Sequence, residues 1–357
     1  MRNLLGNSLL ILLSLAVVVG LLEVGIRVYS SAFFPKMMEL DPALGWRHAR
    51  DQEKTFGNEL GEPVVVRQNR FGHRGAERGP EKSPGVRRIL AIGDSFTEAV
   101  QVGEDEMFTT LLERRVPNLE VLNAGVGGYG TVQQYLYLQS EGLQFQPDTV
   151  LLMFYKNDLK DNCLTYSPGF GPRPYAVMTG DEIEIRTELD WSAFNRLSLP
   201  MPFSETLNMN SYLYNFLNTR LYQRIFANRV GAIALADNKK ANACGKRPIF
   251  FDVVSRMRDS VNAAGADFFV VFIPTVLEAE RGTYELHGEL LSFCETAGLK
   301  CLSLVDSLHA AIRDGQSPYF IEDIHWTAAG HQVAADQLYD FLGLGGAASA
   351  APASSGP

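Results

Sequence analysis

Four short stretches, far apart in the chain, hold the residue types of a nucleophilic centre. The first is Ile92-Gly93-Asp94-Ser95-Phe96-Thr97. The apolar run Arg88–Gly93 reads as a buried strand, and Ser95 follows it at the start of a helix. In open α/β sheets, ligands bind beyond the carboxyl ends of the strands. A serine there exposes its hydroxyl, and its backbone N–H sits at a helix N-terminus, where negative charge is favoured. Taken alone, the position equally suits a plain N-cap. The second stretch is Asn123-Ala-Gly125-Val-Gly127-Gly128-Tyr-Gly130, and the third is Lys156-Asn157-Asp158. Glycines let a backbone N–H approach a substrate oxygen closely. A glycine N–H, the Ser95 N–H and the Asn157 amide make three donors for one oxyanion. The fourth is Ile321-Glu322-Asp323-Ile324-His325-Trp326, just ahead of a helix. It supplies an imidazole base and, two or three residues earlier, a carboxylate to fix its tautomer. His48, His73, His287 and His309 lack that setting and read as structural or solvated. Asp94, Asp158 and Asp161 read as structural hydrogen-bonders.

These stretches need a sheet to bring them together. Short apolar strands are expected at 88–93, 119–123, 149–155, 268–273 and 300–304. Helical spacing covers 97–116, 131–141, 250–264, 286–297 and 328–342. Such alternation indicates a three-layer α/β/α fold with a parallel sheet covered on both faces. It is interrupted from Cys163 to Gly245, a stretch with Pro168, Pro172 and Pro174, a charged run at 181–186 and a helical run over 207–226. This reads as an inserted cap over one end of the sheet. Its aromatics Tyr166, Phe170, Tyr175 and Trp191 either pack the insertion or stack on sugar rings. Residues 32–86 read as a juxtamembrane segment plus one strand, and 87–342 as the main domain with its insertion at 163–245. The Gly/Ala/Ser/Pro-rich tail 343–357 is expected to be disordered.

Residues 4–22 are almost continuously apolar. At 1.5 Å per residue they span roughly 28 Å, enough for a bilayer core. Residues 1–31 read as an uncleaved signal anchor and transmembrane helix, with a cleaved signal peptide or a core helix as the alternatives. The main domain is then expected outside the cytoplasm, periplasmic or at the cell surface, although the flanking charges orient it only weakly. Cys294 and Cys301 flank a short turn, and Cys163 and Cys244 bracket a long segment. Each pair is placed for a disulfide, with four ordinary thiols as the alternative.

Forty-one acidic against 32 basic residues give a net charge of −9, with no basic tract, so nucleic acid is not an expected partner. No CxxC, HExxH or EF-hand spacing points to a metal. Gly125-x-Gly127-x-x-Gly130 formally matches a dinucleotide fingerprint, but it follows the second strand rather than the first. No cofactor is expected.

The order Gly-Asp-Ser95, Gly128, Asn157-Asp158 and Asp323-x-His325 resembles the SGNH (GDSL-like) hydrolases, over about Arg88 to Leu342 without the insertion. Gln68-Asn-Arg-Phe-Gly-His-Arg-Gly75 is similar to membrane-anchored bacterial members. The resemblance implies Ser95 as nucleophile, His325 as base, and an oxyanion hole from Ser95, Gly128 and Asn157. Two positions depart from the pattern. Tyr155 replaces a glycine common in the third block, which would narrow the pocket. The family's acid usually stands three residues before the histidine, selecting Glu322, whereas Asp323 has the Asp-x-His spacing of sugar O-acetyl-transferring relatives. Asp323 is the preferred acid and Glu322 the alternative. The implied activity is hydrolysis of acyl esters, O-acetyl esters of cell-envelope carbohydrate foremost. O-acyl transfer to a polysaccharide and a non-catalytic envelope binding protein are the alternatives.

Overall fold

The computed structural model describes residues 2–33, 36–167, 169–192, 195, 198–225, 246–284 and 286–345. The chain begins with the long helix α1 (Arg2–Phe33). Two antiparallel pairs follow, β1 (Met38–Asp41) with β2 (Gly45–His48) and β3 (Gln52–Gly57) with β4 (Pro63–Gln68). Then come β5 (Arg87–Gly93), α2 (Ser95–Glu98), α3 (Phe108–Arg115), β6 (Leu119–Gly125), α4 (Thr131–Ser140), β7 (Thr149–Phe154) and α5 (Asp158–Asp161). Two small hairpins, β8 (Tyr166–Ser167) with β9 (Gly171–Pro172) and β10 (Tyr175–Thr179) with β11 (Glu182–Arg186), lead to α6 (Ser204–Asn210) and α7 (Tyr212–Phe216). The remainder is α8 (Lys246–Ala263), β12 (Asp267–Phe272), α9 (Val276–Arg281), α10 (His287–Ala297), β13 (Lys300–Ser303), α11 (Val305–Arg313) and α12 (Ala328–Phe341).

The five central strands pair in the order β13-β12-β7-β5-β6, every pair parallel. Their side chains alternate between two cores. Ile89, Ala91, Leu151, Met153 and Val271 face α3, α11 and α12. Leu90, Ile92, Leu152, Phe154 and Val270 face α4, α8 and α10. Burial on both faces is why these strands read as unbroken apolar runs. β5 lies between β6 and β7, so the chain leaves it once to each side. Its carboxyl end is therefore the switch point, where an open sheet leaves a crevice.

Four expectations are corrected. Residues 36–86, expected as a juxtamembrane segment plus one strand, hold four strands and pack into the domain: Leu44 and Trp46 join the main core, and His48, His73 and Arg74 are buried. The helix expected over 97–116 is broken. Ala99 turns left-handed (φ +60°) and a new helix starts only at Phe108. The break is stabilised by the buried Arg74 guanidinium, which donates to the carbonyls of Glu98, Ala99 and Val102. The insertion departs from the domain later than Cys163, because Arg173 and Ala176 are buried and Ala176 lies in the main core. At the C-terminus, Leu344 is buried against the sheet's second core, so ordered chain continues past 342 to Gly345. The rest of the tail lies outside the described residues.

Cys294 and Cys301 form a disulfide joining α10 to β13. Cys163 is also disulfide-bonded. Cys244, its expected partner, lies outside the described residues. Within α1, Asn7–Ser30 is long and apolar enough to cross a membrane, and none of that stretch is buried.

Candidate active site

The turn that carries Ser95 is held by close packing at two strand ends. A Cβ on Gly93 would fall 2.1 Å from Thr97 Oγ1, and one on Gly125 would fall 2.4 Å from the Glu98 nitrogen. Only glycine lets the four-residue α2 nest against β5 and β6. Asp94 caps that helix by accepting from the Phe96 N–H at 3.0 Å. Asn123, at the end of β6, donates to the Thr97 carbonyl at 2.6 Å. Ser95 is thereby fixed at the first position of α2, beyond the sheet edge.

His325 arrives from a loop 230 residues later, with Nε2 standing 2.7 Å from Ser95 Oγ. Its Nδ1 bonds the Asp323 carboxylate and also lies 3.0 Å from the Asp323 carbonyl. Two acceptors at Nδ1 place the proton there. Nε2 is then free to accept from the serine hydroxyl, the tautomer a general base requires. Asp323, not Glu322, makes this contact; Glu322 is exposed. The two-residue spacing requires a tight turn, and Ile324 between them adopts φ +63°. A β-branched residue in the left-handed region is strained, a condition that persists only where the surroundings impose it. The surroundings here are visible. Phe320 N–H donates to the His325 carbonyl at 2.9 Å, and Thr327 N–H donates to that of Pro318 at 3.0 Å. Trp326, buried, packs edge-on against Phe96.

One support lies where sequence reasoning did not look. Glu59, at the tip of the β3–β4 hairpin, accepts from the N–H groups of Ile321, Glu322 and Asp323 at 3.0, 2.7 and 2.8 Å. These bonds, Asp323's foremost, hold its carboxyl below the usual carboxylate range. No local motif marks Glu59, because its partners are more than 260 positions away. Glu59→Ala is expected to lower kcat roughly 10- to 100-fold, the scale of a small misplacement of reacting groups. KM should change little, and Glu59→Gln should recover part of the loss by keeping one acceptor. Steady-state kinetics on p-nitrophenyl acetate check this; a change confined to KM would contradict it.

On the other side of Ser95, Gly128 has φ +76°, and a Cβ there would lie 2.9 Å from Phe170. Its turn is pinned by Trp46, whose indole N–H donates to the Gly127 carbonyl at 3.0 Å. Phe170 stacks on Trp46 at 5.0 Å. Among the described residues, nothing accepts from the backbone N–H of Ser95 or Gly128. Asn157 stands at the start of α5, and its Nδ2 donates to Asp161 at 3.0 Å. Beneath it lies a buried acidic group. Burial pushes Asp94 up to about 6. Asp158, which accepts from Thr131 and Gln134, is raised well above the ordinary range by burial and by the charges of Asp94 and Asp161. These aspartates hold α2, α4 and α5 together, the structural part expected of them. Tyr155 is buried with its ring 4.5 Å from Phe96, whose own ring lies 4.8 Å from His325.

The remaining candidates are structural. His48 bridges the Gly72 carbonyl and Glu98, His73 meets Tyr137, His287 meets Ser303, and His309 meets the Ala279 carbonyl. The Gly125–Gly130 pattern, which only formally matches a dinucleotide fingerprint, leads into α4. At the N-terminus of α4, where a pyrophosphate would sit, the Asn162 side chain accepts from the Val132 N–H at 2.8 Å.

Residues 89–184 match the family model of the GDSL-like lipase/acylhydrolases. No curated protein sequence matches the chain. Solved structures with a similar course of chain include an α/β hydrolase from the metagenome of Lake Arreo. It is 14% identical, with TM-score 0.42, covering 72% of this chain and 95% of that one. A lipolytic protein of the G-D-S-L family from Veillonella parvula is 11% identical, with TM-score 0.40, 71% and 97% covered. An acetyl xylan esterase from Geobacillus stearothermophilus is 12% identical, with TM-score 0.41, 74% and 98% covered. The segment that matches the GDSL-like lipase/acylhydrolase family model thus runs from the strand before Ser95 through the Asn157 turn, and a serine, a histidine and an aspartate stand hydrogen-bonded in series at its edge.

Proposed function

We propose that Ser95 attacks the carbonyl of an acyl ester while His325 takes its proton and Asp323 holds and stabilises the imidazolium. The observation that carries this reading is the 2.7 Å contact between Ser95 Oγ and His325 Nε2, with Asp323 behind it. In the tetrahedral intermediate, the N–H groups of Ser95 and Gly128 donate to the oxyanion, with the Asn157 amide as the third donor. His325 then returns the proton to the leaving alcohol, and water, activated by the same imidazole, releases the acid.

The substrate we favour is a short acyl ester, an O-acetyl group on cell-envelope carbohydrate. Tyr155, Phe96 and His325 pack ring against ring, and we take this packing to close that side of Ser95 to a long acyl chain. Phe170, partly exposed and backed by the buried Trp46, offers a ring next to Gly128 on which a sugar could stack. Placement outside the cytoplasm, anchored by α1, is supported by the paired cysteines, since disulfides persist in oxidising compartments. Transfer of the acetyl group to an acceptor hydroxyl would use the same acyl-enzyme.

An acyl-chain-length series on the full-length enzyme, run with and without sugar acceptors, tests this. Turnover is expected to be highest for acetyl and to fall as the chain lengthens; a preference for long chains overturns the acetyl reading. Acetylated acceptor in place of free acetate would assign transfer. The same esters on a membrane-impermeant sugar, offered to intact spheroplasts, should be turned over without lysis. Turnover only after lysis would place the site in the cytoplasm.

A further inference from the structure

Residues 198–225 of the insertion bury two polar side chains and expose several large apolar ones. Asn218 and Ser198 are each 1% exposed, and Asn218 Oδ1 accepts from the Leu199 N–H at 2.9 Å. On the same segment Phe203 is 81%, Phe216 50%, Leu221 56% and Ile225 66% exposed. A cap helix facing only water would do the reverse. Large apolar side chains left exposed along one segment mark a contact surface.

The segment is fastened to α1. Glu23 accepts from the Ser211 hydroxyl at 2.8 Å and from the N–H groups of Tyr212 and Leu213 at 2.9 Å each. Arg27, one turn further, donates to the Asn210 carbonyl at 3.0 Å. Arg27 and Lys36 both lie over the Tyr212 ring, at 4.8 and 3.8 Å. Glu23 is the first charged residue after the apolar run 4–22. Docking therefore falls where a spanning helix leaves hydrocarbon for headgroups, the level at which tyrosines and snorkelling cations gather. Arg220 and Arg224, both exposed, add positive charge beside the apolar side chains.

We propose that residues 201–225 are an interfacial membrane-binding element. Docked on α1 through Glu23, they set Phe203, Phe216, Leu221 and Ile225 into the headgroup region of the bilayer that α1 crosses, with Arg220 and Arg224 toward anionic lipid phosphates. The occupant of the exposed face is thus the bilayer, because the segment that carries it is fastened to α1 where that helix leaves its apolar run. The inference rests on α1 being a membrane span.

The test uses the full-length chain in vesicles of phosphatidylethanolamine and phosphatidylglycerol with brominated acyl chains, which quench nearby tryptophan. Phe216→Trp and Leu221→Trp are compared with wild type and with Leu60→Trp, a still more exposed apolar site at the β3–β4 tip. Both insertion variants should lose the added tryptophan's emission in brominated vesicles, and Leu60→Trp should keep it. Protein that floats with the vesicles while neither insertion variant is quenched overturns the inference and leaves the span standing. Protein that does not float overturns the span, and the inference with it. Two insertion sites are used so that one badly folding variant, recognised by lost ester turnover, leaves the other to decide.

Discussion

Ser95→Ala should abolish turnover of p-nitrophenyl acetate, with a loss of roughly 10⁴-fold or more, the scale set by removing a member of a catalytic triad. The fold should survive. The side-chain bond the serine makes is the one to His325, and a hydrogen bond contributes about 1 kcal/mol net. The thermal midpoint should therefore stay close to wild type while activity disappears. His325→Ala should be as severe, and Ser95→Ala with His325→Ala no worse than either alone, because the two act as a unit. Additive losses in the double variant would mean that they do not share one proton transfer. Activity near wild type in Ser95→Ala would remove the nucleophile assignment altogether.

Asp323→Asn is the second large effect, and the size of the loss should depend on the replacement. In Asp323→Ala the backbone carbonyl at 3.0 Å from Nδ1 remains, so the useful tautomer is still favoured. The loss is then mainly that of the carboxylate's stabilisation of the imidazolium, roughly 10²-fold, near the scale of one electrostatic stabiliser. In Asp323→Asn the new amide can donate to Nδ1 and drive the proton to Nε2, where it opposes the serine hydroxyl. That loss should approach ~10⁴-fold. Glu322→Gln should cost little, since Glu322 is exposed and the contact belongs to Asp323. Steady-state kinetics on the three variants decide the acid: a larger loss for Glu322→Gln than for either Asp323 variant would reverse the assignment.

The parts of the site legible in the sequence are those written contiguously. Gly93-Asp94-Ser95 and Asp323-x-His325 announce themselves because strand, turn and helix start are local events, and each sits within a few residues. The parallel sheet was legible for the same reason, since burial on both faces leaves unbroken apolar strands. What was not legible is long-range. Nothing near Glu59 signals that it will accept three N–H groups from the catalytic loop. Nothing near Ala99 signals a helix break, because the stabilising guanidinium comes from Arg74. Residues 36–86 read as a juxtamembrane segment plus one strand because they are polar and rich in turns, yet Trp46 and His48 are buried by elements that follow them in the chain. Helices α9 and α11 are short enough to pass as loop in a periodicity reading.

Four residues, 34–37, separate the end of α1 from the first strand of the folded body. Even fully extended, so short a connection spans roughly 14 Å. With α1 in a bilayer, the catalytic body has almost no leash. It cannot patrol the envelope on a flexible stalk, and its working volume is a thin layer against the membrane. Encounters with substrate then become a search in two dimensions. On the function proposed above, ester groups carried close to the membrane surface would be met, and those held farther out would stay beyond reach. Lengthening this connection with a flexible linker would change which substrates are met without altering a single atom of the site.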